Sequence, residues 1–187
     1  MTQNRPSIRI KANKAKKFRC KDLIIVLENP KNLANIGSVL RNIDALGAEK
    51  LYIIDGNNLL PENWQEMRKR SKLIDISASA IKWVFVKKFK TFIDCASYLK
   101  KKGFVSYSTS PHQSDRWNIN LQEGIYTIPK IAIWFGNESR GLSKEAMDYA
   151  HINIVIPMCG IIESLNLGTT TGIVIYEVAK QRRVFTK

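Results

Sequence analysis

The chain has 187 residues, 44% of them hydrophobic and 9% aromatic, and a formal net charge of +14 from 30 Lys+Arg against 16 Asp+Glu. That length suits one domain with short arms and buries a core without disulfide or metal staples, and the composition excludes wholesale disorder. No apolar run approaches the roughly 18 residues of a membrane span, no apolar stretch follows the basic N-terminus as in a secretory signal, and three Cys without a CxxC pair, beside two His, argue against a disulfide framework or a metal site and suit a reducing cytoplasm.

The charge is concentrated at the start of the chain. Residues 1–21 hold eight basic residues (Arg5, Arg9, Lys11, Lys14, Lys16, Lys17, Arg19 and Lys21) and no acid, so residues 22–187 carry 22 basic against 16 acidic residues, a net of +6. This reads as a basic arm, 1–21, on one domain, 22–187. One-sided charge repels itself unless a polyanion neutralises it, so the arm is expected to hold nucleic acid, with Arg9, Lys11, Lys14, Lys16, Lys17 and Arg19 as contacts. Of the smaller clusters, Lys87-Lys88 with Lys90, Lys100–Lys102 and Arg182-Arg183 fit solvated faces at least as well as they fit RNA, and Arg68-Lys69-Arg70 with Lys72 is a further candidate to grip RNA beside the arm.

After the arm, Asp22–Glu28 (DLIIVLE) is a compact apolar run and reads as a buried strand. Leu33, Ile36, Leu40, Ile43 and Leu46 recur at helical spacing, and Gly47 ends the pattern. Leu51–Asp55 is a second strand, the polar segment from Gly56 to Lys72 a loop with a short helix, and Lys82–Val86 a third strand. Thr91 with Asp94 resembles a capping box opening a helix that Gly103 ends. Phe104–Thr109, Ile131–Phe135 and Ile152–Ile156 are further strands, Ser143–Tyr149 a short helix, and Leu165 to about Lys180 the last helix. Strand–helix alternation with continuous apolar strands indicates an α/β domain, a mostly parallel sheet with helices on both faces.

Neither GxGxxG nor GxxxxGK[ST] is present, so the glycines that cradle phosphates in dinucleotide and P-loop sites are missing. Three polar constellations instead follow strands, where α/β sheets place ligand sites. They are Asn32-Leu33-Ala34-Asn35-Ile36-Gly37-Ser38-Val39-Leu40-Arg41, Phe135-Gly136-Asn137-Glu138-Ser139-Arg140-Gly141-Leu142-Ser143, and Ile156-Pro157-Met158-Cys159-Gly160 through Glu163-Ser164-Leu165-Asn166. Singly, each has a structural explanation: Asn35 or Ser164 as a helix cap, Arg41 as a surface cation, Glu138 and Arg140 as a turn pair. Together they are hard to ascribe to stability alone.

The ordered trio NLANIGSVLR, FGNESRGLS and IPMCGIIESLNLGTTTG resembles the three motifs of the SpoU/TrmH family, SPOUT-superfamily RNA ribose 2′-O-methyltransferases, over about Asp22 to Arg182. The resemblance implies a C-terminal deep trefoil knot, S-adenosylmethionine bound in the knot loops, and a homodimer with sites at the interface. It implies that Arg41 lies beside the ribose 2′-hydroxyl and pairs with Asn35 in the first motif. It gives Gly136 to the cofactor and Glu138 to ordering the site. Ser164 and Asn166 would orient Arg41 or the RNA. Ile156, Gly160 and Leu165 would surround the cofactor, with Thr109 at the end of its strand added to them. The knot loop is more apolar than expected at Cys159 and Ile161-Ile162. Cys159 reads as a buried thiol, since direct methyl transfer needs no covalent enzyme intermediate.

A sulfonium methyl is already activated, so the catalyst must align and deprotonate an alcohol. His112 and His151 lie outside the motifs, which leaves Arg41. Either it serves as the base, or it grips an RNA phosphate bidentately while that phosphate or a water takes the proton. Two other activities remain open to the sequence: a non-catalytic basic RNA-binding protein that keeps the fold, and a SPOUT enzyme that methylates a base. For the RNA itself, tRNA is favoured over rRNA, because a basic arm of about 21 residues is too short for a separate RNA-binding domain.

Overall fold

In the computed structural model, which describes residues 7–63, 66, 68–69, 71–111 and 117–182, the apolar runs form one seven-stranded sheet. Its strands are β1 (Cys20–Glu28), β2 (Ala48–Ile54), β3 (Phe85–Phe89), β4 (Val105–Thr109), β5 (Trp117–Asn120), β6 (Ile131–Phe135) and β7 (Ile152–Val155). Their spatial order is β3-β2-β1-β6-β4-β7-β5 and every ladder is parallel. The helices are α1 (Ile8–Ala15), α2 (Leu33–Leu46), α3 (Ser71–Ile76), α4 (Phe92–Lys101), α5 (Lys144–Tyr149) and α6 (Leu167–Arg182).

The strands are apolar without alternation because both faces of the sheet are covered. Leu23, Ile25 and Leu27 of β1 pack in one core with Ile36, Val39, Leu40 and Ile43 of α2 and Val174, Ile175 and Val178 of α6. Ile24 and Val26 point the other way, into a second core with Cys95, Ala96 and Leu99 of α4 and Ala146 of α5. Each fully buried aliphatic side chain of this kind stabilises by about 1.5–3 kcal/mol. The helix ends follow the sequence signals. Asn32 accepts from the Ala34 N–H (2.8 Å) at the start of α2, and Gly47, with φ of 79°, closes it by donating to the Ile43 carbonyl. Thr91 accepts from the Asp94 N–H (3.2 Å) and donates to the Asp94 carboxylate (2.7 Å), fixing the start of α4.

Two expectations change, and two elements are new. The third strand begins at Phe85 rather than Lys82, because Ser79, at φ 67°, turns the chain into a 3-10 turn over Ala80–Lys82, and Phe85 is then in register with Lys50. Strand β5 was not expected: it is a four-residue edge strand with Trp117 81% exposed, so it carries no apolar run. Helix α6 starts at Leu167 and is capped by Asn166, whose Oδ1 accepts from the Gly168 N–H (2.8 Å), not by Ser164. The basic arm contains helix α1 and a 3-10 turn at Lys16–Phe18.

Some of the scattered cations serve the fold. Arg19 pairs with Asp44 of α2. Burial raises the Asp44 carboxyl above its ordinary range, and Arg19 works in the opposite direction. Lys88 donates to the Leu60 carbonyl (3.0 Å) and pairs with Glu62 (3.1 Å) and the buried Asp55 (3.4 Å). Arg182 donates to the carbonyls of Tyr126, Ile128 and Pro129, tying the end of α6 to the segment before β6. Arg5, Arg70, His112 and Arg183 lie outside the described residues, as do the side chains of Arg9, Lys11 and Lys16.

Helices α2 and α6 pack through small and polar residues. Asn42 Nδ2 donates to the Gly168 carbonyl (2.6 Å) and to Thr171 Oγ1 (3.1 Å). A Cβ at Gly168 would lie 2.8 Å from Ser38 Cβ, so the two backbones approach as closely as they do only because Gly168 has no side chain. Gly168→Ala is therefore expected to destabilise the fold by roughly 1–3 kcal/mol, read as a lower urea midpoint at unchanged m-value.

Candidate active site

The carboxyl ends of β1, β4, β6 and β7 converge where the strand order reverses, the place where open α/β sheets bind ligands. A cavity of about 400 Å³ lies there. One wall is the loop after β6. Asn137 and Gly141 exchange backbone hydrogen bonds (3.1 and 3.0 Å), and Asn137 Oδ1 accepts from the N–H groups of Ser139 (3.0 Å) and Arg140 (2.8 Å), so residues 137–141 form a pinned hairpin. Gly136 begins it, and a Cβ there would sit 1.9 Å from the Gly141 carbonyl carbon. No side chain is compatible with that hairpin. Its far end is fixed by Glu28 at the end of β1, buried to 4% exposure, whose carboxylate accepts from both the N–H and the hydroxyl of Ser143 (2.7 Å each). Sequence reasoning gave Glu28 no role; a carboxylate closing an otherwise apolar buried strand was the available signal.

The opposite wall is apolar: Ile154, Ile156, Met158, Leu165 and Leu167. Thr109 lines the cavity from the end of β4, its hydroxyl donating to the Trp134 carbonyl (2.9 Å). The donor set fits S-adenosylmethionine. The volume suits a small cofactor, the apolar wall suits an adenine, hydroxyls of Thr109, Ser110, Ser164 and Thr170 line the rest, and Arg140 is the one cation among the described lining residues.

At the mouth of the cavity the three motifs join through hydrogen bonds. Asn35 Nδ2, in the first turn of α2, donates to Glu138 Oε1. Glu138 Oε2 accepts from the Lys31 N–H (3.2 Å). Asn35 Oδ1 in turn accepts from Asn166 Nδ2 (3.2 Å), and Asn166 Oδ1 accepts from the Gly168 N–H (2.8 Å). An uninterrupted chain thus runs from the hairpin, through α2, to the first turn of α6. Each amide is oriented by its own neighbours: it donates to one side and accepts from the other.

Of the ten residues assigned by resemblance to catalysis or cofactor, Thr109, Gly136, Glu138, Ile156, Ser164 and Leu165 line the cavity, and Asn35 and Asn166 are hydrogen-bonded to its rim. Two stand apart. Gly160 is exposed and not among the lining residues. Arg41 is exposed on α2, about 9 Å along the axis from Asn35, and has no hydrogen bond or ion pair among the described residues. Cys159 is exposed rather than buried, because the loop from Cys159 to Asn166 lies on the surface of the single chain, with Ile161 99% and Ile162 68% accessible. The arm cations Lys14 and Lys17 are exposed and free to meet a polyanion, whereas Arg19 is turned onto α2. No group of three or more His, Cys, Asp or Glu among the described residues could hold a metal ion, and no helix there is long and apolar enough to cross a membrane.

Asn35→Asp tests the junction. It sets a second carboxylate against Glu138, and like charges raise the pKa of the pair above its value in the unfolded chain. The repulsion is then present above that raised pKa and absent once the pair is protonated. We expect a stability deficit of order 1 kcal/mol against wild type at pH 8 that shrinks as pH falls through the carboxylate range, measured by paired thermal melts. A deficit independent of pH would mean that the amide is needed only for its shape.

The profile of the SpoU rRNA Methylase family matches residues 22–176. The chain is 33% identical over 165 residues to the tRNA (guanosine(18)-2′-O)-methyltransferase of Aquifex aeolicus, covering 88% of this chain and 72% of that protein. It superposes on the crystal structure of the A. aeolicus TrmH/SpoU tRNA modifying enzyme with a TM-score of 0.76 at 30% identity, over 93% of this chain and 83% of that one. A structure described under 2-OH methylation of C/U34 on tRNA is matched at TM-score 0.68 and 27% identity, over 87% of this chain and 97% of that one. With its three motifs joined around one cavity, the chain belongs to the SpoU/TrmH family of S-adenosylmethionine-dependent RNA ribose 2′-O-methyltransferases.

Proposed function

We propose that the chain methylates a ribose 2′-hydroxyl of tRNA, in the cytoplasm and as a homodimer. The observation that carries this is the hydrogen-bonded junction of Glu138, Asn35 and Asn166 at the mouth of the cavity. A binding protein without chemistry has no need to orient three side chains from three distant segments at the edge of a cofactor-sized space. The relatives support tRNA as the substrate, since those named above act on it at guanosine 18 or at C/U34. Three unpaired cysteines suit a reducing compartment.

The homodimer is supported by helix α6 and the loop before it. Beside its buried face, α6 exposes Ile173 (38%) and Tyr176 (57%), and the loop exposes Ile161, Ile162 and Leu165. A helix apolar on both sides needs a second surface to pack against. A second copy supplies one and also accounts for Arg41, which stands apart from the cavity of its own chain: Arg41 of one copy serves the cavity of the other. The trefoil knot belongs to the same proposal, supported by the way residues 136–142 and 154–170 line one cavity from two segments of chain.

Bound there, S-adenosylmethionine supplies a methyl group activated by its sulfonium. The chain's own residues do the rest. Glu138 and Asn166 hold Asn35, and the three define the rim on which a ribose rests. Arg41 would grip the neighbouring phosphate bidentately and hold the ribose 2′-hydroxyl in position for transfer. The 2′-hydroxyl proton would pass to that phosphate or to a water on it. A guanidinium loses its proton only above pH about 12, so it serves as clamp and not as base.

Labelled methyl transfer to separated tRNA and rRNA pools, with digestion to nucleosides, tests the reading: a 2′-O-methyl nucleoside from tRNA is expected, and a methylated base, or label in rRNA alone, contradicts it. Arg41→Ala should abolish transfer with cofactor affinity within about twofold by calorimetry. Mixing inactive Arg41→Ala with inactive Gly136→Val should restore on the order of a quarter of wild-type activity once subunits exchange, because each mixed dimer has one intact site; no recovery would place Arg41 in its own chain's site. Deleting residues 1–17, which spares the Arg19–Asp44 pair, should weaken tRNA binding and flatten its salt dependence with the melt unchanged.

A further inference from the structure

The one cation among the described residues that line the cavity has no role in the proposal above. Arg140 is exposed at the tip of the 137–141 hairpin, lines the cavity, and has no hydrogen-bond or salt-bridge partner for its guanidinium among the described residues. Its carboxylate neighbour Glu138 is already engaged on both oxygens, by Asn35 Nδ2 and by the Lys31 N–H, and forms no ion pair with it. The two residues therefore do not make the turn pair that their spacing allows. The backbone beneath Arg140 is rigid: its N–H donates to Asn137 Oδ1 (2.8 Å), and the hairpin is closed by the Asn137–Gly141 bonds. A cation on a pinned loop, unpaired and at the solvent side of a reaction cavity, is placed to receive an anion that arrives with the substrate.

We infer that Arg140 is a substrate-binding residue that grips an RNA phosphate flanking the target ribose, a second anchor beside the one assigned to Arg41. This rests on the methyltransferase reading. The anion is a phosphate rather than a carboxylate of the cofactor because the hairpin runs outward. Gly136 at its base is half-buried and packs against the Gly141 backbone, while residues 138–140 are exposed at the rim. The apolar wall for the cofactor lies across the cavity, on the segments from Ile154 to Leu167. Phosphate diesters flank every ribose in RNA, and a guanidinium meets them bidentately. Two anchored phosphates would fix the ribose between them, which one clamp does not.

The test uses the full-length protein and an in vitro transcribed, unmodified tRNA pool. Arg140→Ala should raise the KM and the Kd for tRNA by about tenfold and lower the salt slope of binding by about one. The calorimetric Kd for S-adenosylmethionine should stay within twofold and kcat within about threefold. Arg140→Lys should recover part of the tRNA affinity, since it keeps the charge and loses the fork. Weaker cofactor binding in Arg140→Ala overturns the assignment and gives the anion to the cofactor. Unchanged tRNA binding and salt slope overturn it too, and make Arg140 a solvated cation. If wild type itself transfers no methyl group to tRNA, it is the underlying reading that fails, so the two failures are distinguishable.

Discussion

The junction of the three motifs at the candidate site depends on one constraint: Asn35 must donate to Glu138 and accept from Asn166 at the same time. An asparagine can do both because its amide has a donor end and an acceptor end. Aspartate lacks the donor, and an aliphatic residue lacks both. The constraint reaches beyond the side chains. Glu138 sits on the hairpin after β6, Asn35 in the first turn of α2, and Asn166 caps α6. Orienting the one amide therefore ties the first turn of α2 to two segments that lie 103 and 131 residues further along the chain.

The scaffold makes that alignment possible. Gly168 lets α6 approach Ser38 of α2, and Asn42 bridges the same pair of helices one turn further along. Gly136 lets the chain after β6 fold back on Gly141, and Glu28 holds the returning end through Ser143. Small residues therefore lie where backbones meet, and polar ones where segments must be registered. Glu28 is buried, and a buried polar group left unpaired costs about 1–3 kcal/mol, so the Ser143 end of the hairpin tolerates little rearrangement.

Much of this was legible in the sequence. The apolar runs of β1 and β6, the periodicity of α2 with Gly47 behind it, and the Thr91–Asp94 cap each carry a local physical cause, and each stands where it was expected. Strand β5 was not legible, because an edge strand held by ladder bonds to β7 needs no apolar pattern. The N-terminal boundary of α6 was misplaced because both Ser164 and Asn166 can cap, and only the tertiary contact with Asn35 decides between them. Charge was the least reliable guide. Lys88 and Arg182 looked like surface cations and are structural, while Arg140 looked like half of a turn pair and is free of Glu138. A residue's type gives its charge, but its partner depends on which segments the fold brings alongside.

The central claim is that Glu138, Asn35 and Asn166 act as one unit. A double-mutant cycle on methyl transfer tests it most directly, with Asn35→Ala and Asn166→Ala alone and combined, each checked for folding and cofactor binding. If the amides form one oriented chain, breaking either link releases the same geometry, and the double variant loses no more than the worse single variant. Losses in kcat/KM that multiply would contradict the account and make the two asparagines independent contributors.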